Sequence, residues 1–135
     1  MKRSLFIYAV TGIIVWLTCV ACSAIEEDFG AYSVRSASQT EIHFFYLTTC
    51  PYSKSAGIYI SENYPDLKVK YIDLNDRRGE DLFKIALKEY KLGNYTNTPL
   101  ICCGNHYIQG WDYDKRQMFD IYAQRYQQAK PDTIN

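Results

Sequence analysis

At 135 residues the chain is long enough for one domain with a sizeable apolar core. Its 15 basic and 15 acidic side chains balance to a formal charge of +0, and no Lys/Arg run breaks the balance, which argues against a nucleic-acid partner. The 13 tyrosines fit the amphipathic walls of a small core and by themselves name no function.

In chain order, the first element is not part of a globular core. Lys2 and Arg3 precede an uncharged run, LFIYAVTGIIVWLTCVACSAI, over residues 5–25, and Glu26, Glu27 and Asp28 close it. A basic start, an apolar run and an acidic exit direct a chain through a membrane with its N-terminus inside. Residues 1–25 are therefore expected to be a signal peptide cut near Ala24, a retained bilayer anchor, or a lipoprotein signal with Cys22 lipidated. Each fate carries the remainder out of the cytosol, to a periplasm or a secretory pathway, secreted or membrane-held. Residues 26–40 are polar without a sustained period and read as a linker.

A domain is expected over residues 41–128. IHFFYL at 42–47 is short, apolar and aromatic, as a buried strand is. Pro51 suits the first turn of a helix over 51–64, which YPD ends. LKVKYIDL at 67–74 alternates Leu67, Val69 and Tyr71 against Lys68 and Lys70, a second strand. GEDLFKIALKEYKLG at 79–93 sets Leu82, Phe83, Ala86, Leu87 and Tyr90 on one helical face, with Gly93 as a stop. PLICC at 99–103 and HYIQ at 106–109 flank Gly104-Asn105, a two-residue hairpin turn. The last helix runs over about 114–128 with Met118, Ile121, Tyr122 and Tyr126 inward, and residues 129–135 form a loose tail. The order is β-α-β-α-β-β-α. The helix between the first two strands makes them parallel and the final two are antiparallel, so the sheet is mixed, with helices on both faces.

Three cysteines, Cys50, Cys102 and Cys103, fall in this domain, an odd count that fits a reactive thiol better than a disulfide scaffold. Cys50 ends the strand-to-helix loop just ahead of Pro51. The unpaired amides and positive dipole end of the helix start favour a thiolate there, and the thiolate is the nucleophilic form. Tyr52 shields one side of the sulfur. Ser53 can donate to the thiolate but cannot form a disulfide with it. Cys102 and Cys103, neighbours in a strand, point to opposite faces and read as small core residues. His43 reads as a packed strand histidine. Cys103 and His106 share a face across the turn, and two ligands do not make a metal site. Asn94-Tyr95-Thr96 is a glycosylation sequon, relevant in a eukaryotic secretory pathway.

With this strand order, CPYS at 50–53 resembles the glutaredoxins, within the thioredoxin-like fold. Asn97-Thr98-Pro99 and Gln109-Gly110-Trp111-Asp112 carry the resemblance further, over about residues 40–128. The resemblance implies an α/β thioredoxin-like domain with a four-stranded mixed sheet flanked by helices. It implies that Pro99 is a cis-proline facing Cys50, that Thr98 pairs with the cysteinyl part of glutathione, and that Gly110, Trp111 and Asp112 hold the γ-glutamyl end. Tyr52 completes that groove, with Pro51 and Ser53 supporting the thiolate. With Ser53 in place of a second cysteine, the implied activity is the monothiol one, reduction of glutathione mixed disulfides with glutathione as co-substrate and glutathionylated proteins as partners. A CPYS site behind an apolar N-terminus is also similar to the membrane-anchored glutaredoxins of the secretory pathway.

Two other readings stand beside this enzyme. One is a homodimer in which Cys50 of each chain and two glutathiones ligate a [2Fe–2S] cluster; otherwise no metal is expected. The other is a thioredoxin-fold binding module without activity. The family pattern fails at Leu47, where a lysine usually meets the glycine carboxylate of glutathione, and at Asn94-Tyr95, where Arg or Gln is usual. Lys54 is not expected to reach round and replace that contact. One lost charge-assisted contact weakens glutathione binding by roughly 1.5–3 kcal/mol.

Overall fold

The computed structural model describes residues 32–94 and 97–129. The expected signal or anchor, lipidation at Cys22, residues 26–31 of the linker, Tyr95 and Thr96 of the sequon, and the tail from residue 130 lie outside these residues. The chain divides between Tyr32 and Ser33, and the described fold belongs to the second unit, Ser33–Asn135. Among the described residues no helix is long and apolar enough to cross a membrane.

The elements are α1 (Val34–Ala37), β1 (Ile42–Tyr46), α2 (Pro51–Asn63), β2 (Val69–Asp73), α3 (Arg77–Glu89), β3 (Leu100–Cys103), β4 (His106–Gln109) and α4 (Tyr113–Gln128). The four strands form one sheet in the order β2-β1-β3-β4. β1 and β2 are parallel, with Phe44 beside Tyr71, while β1 and β3 are antiparallel, with Phe45 opposite Leu100. β3 and β4 form the hairpin, with Cys103 opposite His106, and Gly104 supplies the positive φ of 61° its turn needs. From β1 onward this is the expected β-α-β-α-β-β-α order, a four-stranded mixed sheet flanked by helices in the thioredoxin-like arrangement.

The period of two along each strand sends side chains to two cores. On one face Ile42, Phe44, Ile101, Cys103 and Ile108 pack with Ala56 and Ile60 of α2 and with Phe119 and Ala123 of α4. On the other, Phe45 meets Phe83 of α3 with ring centroids 5.6 Å apart. Each fully buried Phe or Ile contributes roughly 1.5–3 kcal/mol.

Four sequence expectations shift. Residues 33–38 are not linker but the start of the domain. Ser33 caps α1, Val34 is buried, the Gly104 amide donates to the Ser38 carbonyl at 3.0 Å, and the Tyr126 hydroxyl donates to that carbonyl too. One turn of helix is too short to leave a periodic trace, and its order comes from these distant partners. The helix expected at 79–93 begins at Arg77 and ends at Glu89; Lys91 and Gly93 beyond it take positive φ, 58° and 64°. In α4 the inward residues are Phe119 and Ala123, with Tyr122 and Tyr126 partly buried against the core, while Met118 and Ile121 are 41% and 54% exposed. At 100° per residue, Ile121 stands nearly opposite Phe119–Ala123–Tyr126. In β2, an edge strand, Tyr71 is half exposed and Ile72, on the opposite face, is the buried residue.

Gly79 makes the close approach of α3 to β2 possible, since a Cβ there would lie 1.9 Å from the Asp73 carbonyl oxygen. Gly79→Ala is expected to destabilise the domain by about 1–3 kcal/mol or more, read by urea unfolding. A midpoint equal to that of the parent chain would show that α3 does not seat as described.

Candidate active site

β1 runs into the loop Leu47–Cys50, and Cys50 is the N-cap of α2, with Pro51 at its first position. A capping serine or aspartate would satisfy the first-turn amides; Cys50 makes no side-chain capping bond, so those amides remain turned toward its sulfur. Facing it is the loop before β3, where the Thr98–Pro99 peptide bond is cis. The Cys50 thiol donates to the Thr98 carbonyl at 3.4 Å.

Cys50 is partly exposed. Burial pushes its thiol up, but the Thr98 side chain, the Ser53 amide and hydroxyl, and the Tyr52 amide together more than offset this, so its pKa lies below the ordinary thiol value. Thr98 acts in both directions. Its carbonyl favours the protonated thiol, its hydroxyl the thiolate, and with the α2 donors added the thiolate side prevails. The Ser53 hydroxyl is buried without a hydrogen-bond partner, and ionised sulfur is the acceptor within its reach.

A cavity of about 520 Å³ opens beside the sulfur. Of the expected residues, Cys50, Tyr52, Thr98, Gly110, Trp111 and Asp112 line it. Pro51 and Ser53 support it from within α2, and Pro99 closes the loop behind it, its carbonyl accepting from the Gly110 amide at 2.8 Å. Tyr52 is 60% exposed at the rim. Asp112 is the N-cap of α4 and accepts from the Lys115 amide at 2.9 Å. The Lys115 ammonium bonds the same carboxylate and lowers its pKa.

Asn97 and Lys115 also line the cavity, and the sequence reading did not single them out. Asp112-x-x-Lys115, spanning a helix start, was the available trace of the second. Lys54, not expected to replace the missing cation, lies in a neighbouring groove with Leu47, Ile58 and Tyr71. His43 is fully buried, its Nδ1 3.2 Å from the Glu41 carbonyl oxygen, and burial lowers its pKa. Among the described residues no group of three or more His, Cys, Asp or Glu side chains is placed to hold a metal ion.

The other two thiols are chemically quiet. Burial pushes Cys103 up to about 12 and Cys102 higher still. Both folded-state values lie above those of the unfolded chain, so these groups favour folding below the ordinary thiol range and withdraw that support as the pH rises through it.

Neither a protein-family model nor a curated protein matches the chain. Among solved structures it is similar to the glutaredoxin (grx-1) from Archaeoglobus fulgidus, at 18% identity over 66% of this chain and 95% of that one, with a TM-score of 0.49.

Alkylation followed by peptide mass mapping is expected to label Cys50 in the folded protein at neutral pH and to leave Cys102 and Cys103 unlabelled until denaturant is added. Ser53→Ala is expected to raise the Cys50 pKa, moving the rate–pH profile of alkylation to higher pH. An unmoved profile would remove Ser53 from the thiolate's support.

Proposed function

We propose that the chain is an exported, glutathione-dependent thiol–disulfide oxidoreductase of the monothiol type, with Cys50 as its nucleophile. The supporting observation is the sulfur itself, set at the start of α2 opposite the Thr98 carbonyl at 3.4 Å, with its pKa lowered and a cavity beside it. A low-pKa, accessible thiol is the nucleophile that disulfide exchange requires.

In the proposed cycle the Cys50 thiolate attacks the glutathione sulfur of a glutathionylated protein. The sulfur–sulfur bond of the substrate breaks, a Cys50–glutathione disulfide forms, and the electron pair leaves on the protein thiolate, which takes a proton from water. A second glutathione, as its thiolate, attacks the glutathionyl sulfur, releasing oxidised glutathione and restoring the Cys50 thiolate. Ser53 offers no thiol, so the intermediate has no internal exit and waits for glutathione. In this reading Thr98 pairs with the cysteinyl part through its backbone, and Gly110, Trp111 and Asp112 receive the γ-glutamyl end. The proposal also takes residues 5–25 as the segment that carries the domain out of the cytosol, cleaved or kept in the membrane.

After mixing with oxidised glutathione, Cys50 is expected to gain one glutathionyl mass, retained in Cys102→Ser and lost in Cys50→Ser. An unmodified Cys50 after equilibration would leave a thioredoxin-fold binding module in place of the enzyme.

A further inference from the structure

Across the cavity that holds the Cys50 sulfur lies a second charged feature, the Asp112–Lys115 pair. Both side chains remain reachable, 52% and 36% exposed, and an ion pair this open contributes little by itself. A ligand therefore separates it at small cost. Gly110, with φ of 76°, leaves bare backbone beside the pair; a Cβ there would approach the Lys115 ammonium to 3.9 Å. Trp111 lines the same space, is only 6% exposed, and keeps its indole Nε1 without a hydrogen-bond partner. The wall thus presents an ammonium, an unused N–H donor and a carboxylate within a few residues of one helix start.

A ligand bearing a single charge answers one member of this pair and strands the other. A group carrying a carboxylate and an ammonium on one carbon answers both, with two charge-assisted bonds in place of one. Resting on the glutathione reading above, we propose that Lys115 is a specificity-determining residue that receives the α-carboxylate of the γ-glutamyl group while Asp112 receives its ammonium. Recognition of the tripeptide is thereby weighted toward its γ-glutamyl end. The opposite end loses its usual cation at Leu47, and Lys54, in the adjoining groove, does not line this cavity. Lys115 does not touch the reacting sulfurs; it selects which thiol compound is presented to them.

The test compares mixed-disulfide formation at Cys50 with two disulfides, oxidised glutathione and oxidised cysteinylglycine, which lacks the γ-glutamyl group. The parent chain is expected to favour glutathione by about tenfold or more, the scale of one charge-assisted contact. Lys115→Met is expected to reduce that ratio by about tenfold, Lys115→Arg to retain most of it, and Lys54→Met to leave it unchanged. A ratio in Lys115→Met within twofold of the parent, or equal reaction of the parent with both disulfides, overturns the role of Lys115 and leaves Cys50 chemistry standing. A parent chain that forms no adduct with either disulfide overturns the exchange reading itself, and this inference with it.

Discussion

The antiparallel pairing of β1 with β3 is the constraint from which the site follows. Phe45 opposite Leu100 sets the end of β1 beside the beginning of β3, so the loop carrying Cys50 and the loop carrying Thr98 and Pro99 must meet. The parallel β2 and the returning β4 bring their C-terminal ends to the same edge, and two backbone bonds carry the ladder beyond the strands, Leu74 to Tyr46 and Gly110 to Pro99. Register is held by what each face buries. A slip of one residue in β3 would exchange Ile101 and Cys103 with Leu100 and Cys102 between two differently shaped cores. The cavity wall is therefore as well determined as the sheet itself.

The same sheet sorts three chemically identical side chains. Cys102 and Cys103 occupy successive positions of β3, one on each face, and burial makes both poor anions. Cys50 is only partly withdrawn from water and sits where a helix begins, so donors outweigh its desolvation. Position within the fold decides which sulfur ionises most readily, and it does so with ordinary elements: a chain end of a strand, a proline, a first turn of helix. Ser53 belongs to this device, since a buried hydroxyl otherwise without a partner carries a desolvation penalty that an adjacent anion relieves.

Much of this was readable from periodicity and punctuation. The strand over 42–46, the Cys-Pro helix start and the Gly104-Asn105 hairpin are each written within about a dozen residues, and each stands where expected. What escaped depends on distant partners. α1 is held by Ser38, whose hydroxyl lies 3.1 Å from that of Tyr90, and by Gly104, 66 positions away, so its local sequence looks like linker. Tyr90 extended the apparent face of α3 past its end because apolar spacing continues where the helix does not. Lys115 carries no mark in the sequence beyond its place three residues after Asp112; only the fold shows that its helix starts against the Cys50 cavity.

The distance between the sulfur and the Asp112–Lys115 wall is governed by groups that do not touch the cavity. The sulfur heads α2 and the charged pair heads α4. These two helices are tied by the Asp120 carboxylate, which accepts from the Tyr59 hydroxyl at 2.9 Å and the Tyr64 hydroxyl at 2.7 Å. Burial first, and the neighbouring carboxylate second, raise both phenols, so they stay protonated and able to donate. Each such bond to a charged acceptor contributes roughly 1.5–3 kcal/mol. The Arg116 guanidinium lies 4.9 Å over the Tyr59 ring, and that ring packs 5.6 Å from Trp111, which rests in turn on Phe119. The support is thus continuous from Asp120 to the indole that walls the cavity. Tyr59 and Tyr64 thus tie the helix headed by Cys50 to the helix headed by Asp112, and in a small domain such packed rings supply rigidity without a disulfide.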